Sequence, residues 1–77
     1  DNITDHLNEG KPVVVEISGT LVTAEGTKYY GQHFIALIDI NSDGDVYVSD
    51  PGSTVSNGWA KVNDIVNISK SALYAEN

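Results

Sequence analysis

Residues 32–51 read QHFIALIDINSDGDVYVSDP and contain two apolar runs on either side of a polar, acidic turn. The turn includes Asp43-Gly44, and an Asp-Gly pair between hydrophobic runs is a strong signal for a β-hairpin. The first apolar run begins after His33, and the second ends at Asp50. The sequence therefore predicts a histidine, two antiparallel strands joined by a turn, and then an aspartate.

The segment before this hairpin predicts a helix and a strand. Ile3 and Leu7 are one helical turn apart, and the glycine and proline that follow are typical of a helix end. Residues 12–18 are rich in β-branched side chains, with Val13, Val15 and Ile17 on one face and Glu16 and Ser18 on the other, which indicates a strand with one buried face. We expect residues 19–31 to form a polar connector, in which residues 21–23 add at most a short edge strand.

The segment after the hairpin predicts smaller elements. Residues 59–62 have the pattern of a short strand, Asn63 is expected to cap a brief helix over residues 64–68, and residues 71–75 form a last strand. Together these elements predict an α+β fold, a twisted antiparallel sheet of four or five strands with short helices. Residues 1–77 are expected to form a single domain.

Composition limits the classes of partner. The chain has 77 residues and a net charge of −7, from eleven acidic residues and four lysines. Such a surface repels phosphate backbones and anionic lipids, so we expect neither nucleic acid nor membrane as a partner. The sequence contains no cysteine, which rules out a disulfide or a cysteine-metal cluster within it. No cofactor is predicted.

His33 and Asp50 are the candidate catalytic residues. A thiol or hydroxyl nucleophile needs an imidazole to take its proton, and the imidazole needs a carboxylate to fix its tautomer. With a two-residue turn, Asp50 lies opposite Leu37, on the face of His33 but about 13 Å away along the strand. Contact therefore requires a wider loop or a β-bulge. The alternative roles are a structural histidine at a strand end and a turn aspartate before Pro51.

A second motif overlaps the hairpin. Its spacing matches a calcium loop of the EF-hand type, with glycine at the sixth position and oxygen ligands from Asp39, Asn41, Asp43, Asp45 and Asp50. Pro51 prevents a smooth exit helix, and residues 46–48 have a strand pattern. The alternative is an acidic hairpin tip whose side chains serve the turn geometry. We assign no metal site.

The order of these elements resembles the second half of papain-superfamily cysteine peptidases, especially the bacteriocin-processing branch. The matching segments are GKPVV at 10–14, GQHFI at 31–35, DGDVYVSDP at 43–51 and GW at 58–59. The resemblance implies that His33 is the general base and Asp50 its orienting carboxylate. It also implies a peptide or amide substrate and an extracellular or cell-surface bacterial setting.

The departure from this family is the missing nucleophile. The family's cysteine lies in a preceding helical half, and Gln32 does not stand where the family has its oxyanion-hole glutamine. Because the sequence starts at Asp1 without methionine, we expect a fragment, or one lobe of a larger peptidase-like domain, that is inactive alone.

The expected partner is a cysteine-bearing N-terminal half or another chain that covers the sheet. It should bury an apolar patch on the His33 face, bordered by Trp59, Tyr29 and Phe34. The competing interpretation is a non-catalytic binding module, either a degenerate peptidase-like domain that holds peptides or a calcium-stiffened interaction domain.

Overall fold

A five-stranded antiparallel sheet with two short helices forms the fold, in a computed structural model that describes residues 2–50 and 57–74. The strand order is β4-β3-β2-β1-β5, and each neighbouring pair is antiparallel. The predicted α+β fold is confirmed. The elements in chain order are α1 Asn2–Asn8, β1 Val13–Thr23, β2 Gly26–Ile40, β3 Val46–Ser49, β4 Gly58–Ala60, α2 Val62–Ile68 and β5 Ser69–Tyr74.

The hydrophobic core lies between one face of the sheet and the two helices. Alternate residues of β1 and β2 point to this face, and the cross-strand pairs Val15–Ile35 and Val13–Leu37 are fully buried or nearly so. Ile3 and Leu7 of α1 and Ile65 of α2 complete the cluster. Each such aliphatic side chain contributes about 1.5–3 kcal/mol when fully buried. The face that the helices cover is called the inner face below.

The first hairpin corrects the expectation for residues 19–31. These residues do not form a polar connector, because β1 continues to Thr23 and β2 begins at Gly26. Leu21 is buried, and it continues the inner-face alternation of β1 beyond the predicted strand. The backbone NH of Ala24 donates to the Trp59 carbonyl at 2.8 Å, which ties the hairpin tip to β4. The periodicity is weak here because Gly19 and Thr23 flank Leu21 on the inner face and the apolar Val22 lies on the outer face.

The central hairpin forms where the Asp43-Gly44 turn predicts it, but with a wider loop. Residues 41–45 connect β2 to β3, and the side-chain oxygen of Asn41 accepts from the backbone NH groups of Asp43 and Asp45 at 3.0 and 2.9 Å. Gly44 has a φ of 84°, a conformation that favours glycine. One extra residue in β2, Ile38, forms a bulge between the pairs Leu37–Val48 and Asp39–Tyr47. Both the wider loop and the bulge change the register of Asp50.

Helix α2 begins earlier than the sequence predicts. It spans Val62–Ile68, so Asn63 lies inside the helix and does not cap it. Lys61 is at the N-cap, and its carbonyl accepts from the NH groups of Asp64 and Ile65 at 3.0 and 3.3 Å. None of the helices in the described part of the chain is long and apolar enough to cross a membrane.

Most of the exposed large apolar side chains lie on the outer face of the sheet, whereas Val66 lies on α2. Phe34 and Tyr29 are exposed and alternate with inner-face neighbours. Trp59 is half-buried between Gly58 and Ala60, which are buried, and its ring packs edge-on against Tyr47. Phe34 and Tyr29 therefore do not border a patch on the His33 face, against which α1 and α2 pack, and burial of that face by a partner stays a prediction.

Candidate active site

His33 lies at the end of the inner-face row of β2. It pairs with Ile17 across the first hairpin and follows the same alternation as Ile35 and Leu37. Its side chain is 35% exposed, whereas those two neighbours are buried. The row of core residues therefore opens to solvent at the imidazole.

Asp50 is brought to His33 by the hairpin register. Ser49 pairs with Ala36, so Asp50 lies opposite Ile35, which is two residues from His33 along β2. With a two-residue turn, Asp50 would lie opposite Leu37, four residues from His33. Its carboxylate is 1% exposed, and Oδ1 lies 3.1 Å from Nε2 of His33. The backbone NH of Asp50 donates to Oδ1 of Asn57. The structure thus brings the two predicted residues together, on one face.

Tyr30 also contacts this pair, whereas the sequence favours Tyr29 and Tyr30 equally as residues that line a substrate groove and as an exposed loop pair. Its hydroxyl donates to Oδ2 of Asp50 at 2.6 Å, and its ring stacks on the imidazole of His33 with centroids 4.5 Å apart and planes 4° apart. A spacing of three residues places Tyr30 and His33 on opposite faces of a regular strand. Between the pairs Ile17–His33 and Gly19–Tyr30, β2 contains two residues where β1 contains one. This bulge puts both rings on the inner face.

With Asp50 ionised, the hydrogen bonds assign the protons of the pair. An ionised carboxylate only accepts, so Nε2 of His33 donates to Oδ1 while the Tyr30 hydroxyl donates to Oδ2. A neutral imidazole that is protonated at Nε2 has its lone pair at Nδ1. Within residues 2–50 and 57–74, Nδ1 makes no hydrogen bond and is not buried. The arrangement can therefore accept a proton at Nδ1 from a group in solvent or on another chain segment.

A comparison with family models identifies the relationship. The model described as "Peptidase_C39 like family" matches residues 1–75. The chain belongs to this family. No curated protein and no solved structure matches it. Membership of the C39-like family agrees with the peptidase relationship that the His-Phe and Asp-Pro segments predict.

The acidic loop of this C39-like chain serves the hairpin geometry. The side-chain oxygen of Asn41 is occupied by two backbone NH groups, and the carboxylate of Asp50 faces Tyr30 and His33. In the part of the chain that the structure describes, no group of three or more His, Asp or Glu side chains is arranged to hold a metal ion. The described geometry thus favours the acidic hairpin tip over the calcium loop.

Proposed function

We propose that this chain is the His/Asp-bearing lobe of a papain-like cysteine peptidase or a related amide hydrolase, of the bacteriocin-processing type. His33 is the general base and Asp50 its orienting carboxylate. The single observation that carries the proposal is the 3.1 Å contact between Nε2 of His33 and the buried Oδ1 of Asp50, with no hydrogen bond at Nδ1 among the described residues. Because the sequence has no cysteine, the thiol comes from residues outside these 77, in a cysteine-bearing N-terminal half or another chain.

In the proposed reaction, Nδ1 of His33 takes the proton of the thiol. The thiolate then attacks the carbonyl carbon of a peptide or amide, and the imidazolium returns the proton to the leaving amine as the carbon–nitrogen bond breaks. Water, deprotonated by the same imidazole, hydrolyses the thioester and frees the thiol. Asp50 keeps Nε2 protonated and stabilises the imidazolium, and its burial strengthens this effect because water screens the charge less.

A second candidate function is peptide binding without cleavage. The absence of cysteine from the sequence favours it, since a domain that keeps the fold without its nucleophile can still hold an extended peptide. The two proposals differ in one observable, which is hydrolysis that depends on both a thiol and His33.

The test is to join the chain to the cysteine-bearing segment encoded with it and to measure peptide hydrolysis before and after thiol alkylation. We expect His33→Ala to lower kcat/KM by about 10²–10⁴-fold, the typical contribution of a general base. His6→Ala is the matched control, because the only other histidine lies in α1 against Tyr74. Its hydrolysis rate should equal that of the unaltered protein.

Asp50→Asn should be milder than His33→Ala. The amide oxygen can still accept from Nε2, and the Tyr30 hydroxyl can turn to accept from the new NH₂ group. We expect a loss of about tenfold, the difference between a charged and a neutral hydrogen bond. Hydrolysis that survives His33→Ala contradicts the assignment of the base. A parent gene without a cysteine-bearing segment, together with peptide binding by the chain alone, favours the binding module.

A further inference from the structure

Tyr30 contacts both members of the proposed pair. Its hydroxyl donates to Oδ2 of Asp50 at 2.6 Å, and its ring lies parallel to the imidazole of His33 at 4.5 Å. The ammonium group of Lys28, two residues earlier in β2, lies 5.2 Å from the centroid of the Tyr30 ring. The neighbouring Tyr29 is 71% exposed and lies on the outer face. Two adjacent tyrosines therefore occupy very different environments.

We infer that Tyr30 is a positioning residue that fixes the rotamers of Asp50 and His33 together, an inference that rests on the proposed function. A hydrogen bond to Oδ2 opposes rotation of the Asp50 carboxylate about its Cβ–Cγ bond. With Oδ2 held by the Tyr30 hydroxyl, Oδ1 stays directed at Nε2 of His33. The stacked ring limits rotation of the imidazole, which would exchange the positions of Nδ1 and Nε2. Tyr30 thus keeps the accepting nitrogen directed outward.

The β-bulge in β2 is what makes this possible. Without it, the three-residue spacing would place Tyr30 on the outer face with Tyr29 as its inner-face replacement. In this scheme Tyr30 acts through Asp50 and His33, because its hydroxyl donates to Asp50 and its ring stacks on the imidazole. Its effect on hydrolysis should therefore appear in kcat rather than in KM.

The test compares Tyr30→Phe with Tyr29→Phe in the ¹⁵N-labelled 77-residue chain. Each variant removes one hydroxyl and keeps the ring, so the pair is matched in chemistry. In the unaltered chain, NMR should detect a proton on Nε2 of His33 that is protected from solvent exchange. We expect Tyr30→Phe to speed that exchange by about tenfold or more, the range for a hydrogen bond to a charged group, and Tyr29→Phe to leave it unchanged.

Backbone amide exchange separates positioning from general stability. If Tyr30→Phe speeds exchange at His33 while the amides of β1 and β2 keep their protection, the positioning role is supported. If exchange at His33 is unchanged, or rises only in parallel with those amides, the inference is overturned. If Tyr30→Phe does not fold, NMR of the unaltered chain tests the inference instead. Nuclear Overhauser contacts between the two rings and a slowly exchanging Tyr30 hydroxyl proton are expected, and their absence overturns the inference.

These measurements need no activity, so the two proposals can fail separately. Rotamer control by Tyr30 without any thiol-dependent hydrolysis contradicts the peptidase proposal alone. Hydrolysis that requires His33 but has the same kcat in Tyr30→Phe contradicts the positioning role alone. If both proposals hold, Tyr30→Phe should lower kcat about tenfold with KM unchanged.

Discussion

The hydrogen bond between His33 and Asp50 should be measurable as a coupling free energy in the isolated chain. His33→Ala removes the Nε2 donor from a carboxylate that is 1% exposed, and Asp50→Ala removes the acceptor. A double-mutant cycle over these two variants and their combination measures the coupling of the pair, including any part transmitted through Tyr30, which contacts both residues. The cycle is the sharpest test of the site geometry because it does not depend on a partner.

The magnitude follows from the burial of the two groups. A hydrogen bond to a charged group contributes about 1.5–3 kcal/mol, and the partial exposure of the imidazole lets water replace some of it, so we expect a coupling of about 1.5–2 kcal/mol. At a urea dependence of about 1 kcal/mol per molar for so small a domain, this coupling corresponds to a midpoint change of about 1.5–2 M.

Urea unfolding followed by Trp59 fluorescence is a suitable assay. Trp59 is the only tryptophan, and it packs against Tyr47 in β3, the strand that leads to Asp50. His6→Ala is again the control, and its combination with Asp50→Ala should show no coupling. A coupling of less than about 0.5 kcal/mol between His33 and Asp50, the scatter of independent sites, refutes the hydrogen-bonded pair.

Two other expectations concern stability. Gly19→Ala should destabilise the chain by about 1–3 kcal/mol in thermal unfolding, because the glycine has a φ of 133° and an added Cβ lies 2.9 Å from Cγ2 of Ile68. Gly31→Ala is the matched control, with nothing within 4 Å of an added Cβ, and equal losses in both variants would contradict the argument. Calcium should not raise the melting temperature, since Asn41 and Asp50 are otherwise engaged. A stabilisation of about 2.7 kcal/mol, expected when the calcium concentration is a hundred times its dissociation constant, would instead support the calcium-loop interpretation.

The sequence predicts the sheet and the candidate pair because both depend on strong local signals. Val13, Val15 and Ile17 share one face of a β-branched run, and the Asp43-Gly44 turn locates the central hairpin. Because side chains alternate between the two faces of a strand, a two-residue turn already places Asp50 on the same face as His33. Its distance could not be predicted, because loop width and the bulge at Ile38 depend on the packing of the whole sheet.

The remaining features depend on weaker or nonlocal signals. The turn of the first hairpin contains no Asn-Gly or Asp-Gly pair, so the sequence gives no strong turn signal there. Its tip is held by a hydrogen bond between Ala24 and Trp59, which are distant in sequence. The sequence does not connect Tyr30 with Asp50, because residues 19–31 have the composition of a connector and a regular strand would place Tyr30 and His33 on opposite faces. Bulges have no sequence signature comparable to a turn glycine, so a site that includes one can be predicted only in part.

The separation of His33 and Asp50 along the chain has a consequence for folding kinetics. The two residues are 17 positions apart on one hairpin, so bringing them together closes a short loop. The entropy of closing a loop grows only with the logarithm of its length, and hairpins form within about 1–10 μs. The pair can therefore assemble during the folding of this chain, before any thiol-bearing segment docks. A late-arriving nucleophile would meet an acceptor already in place, so the rate at which activity appears should follow docking rather than folding.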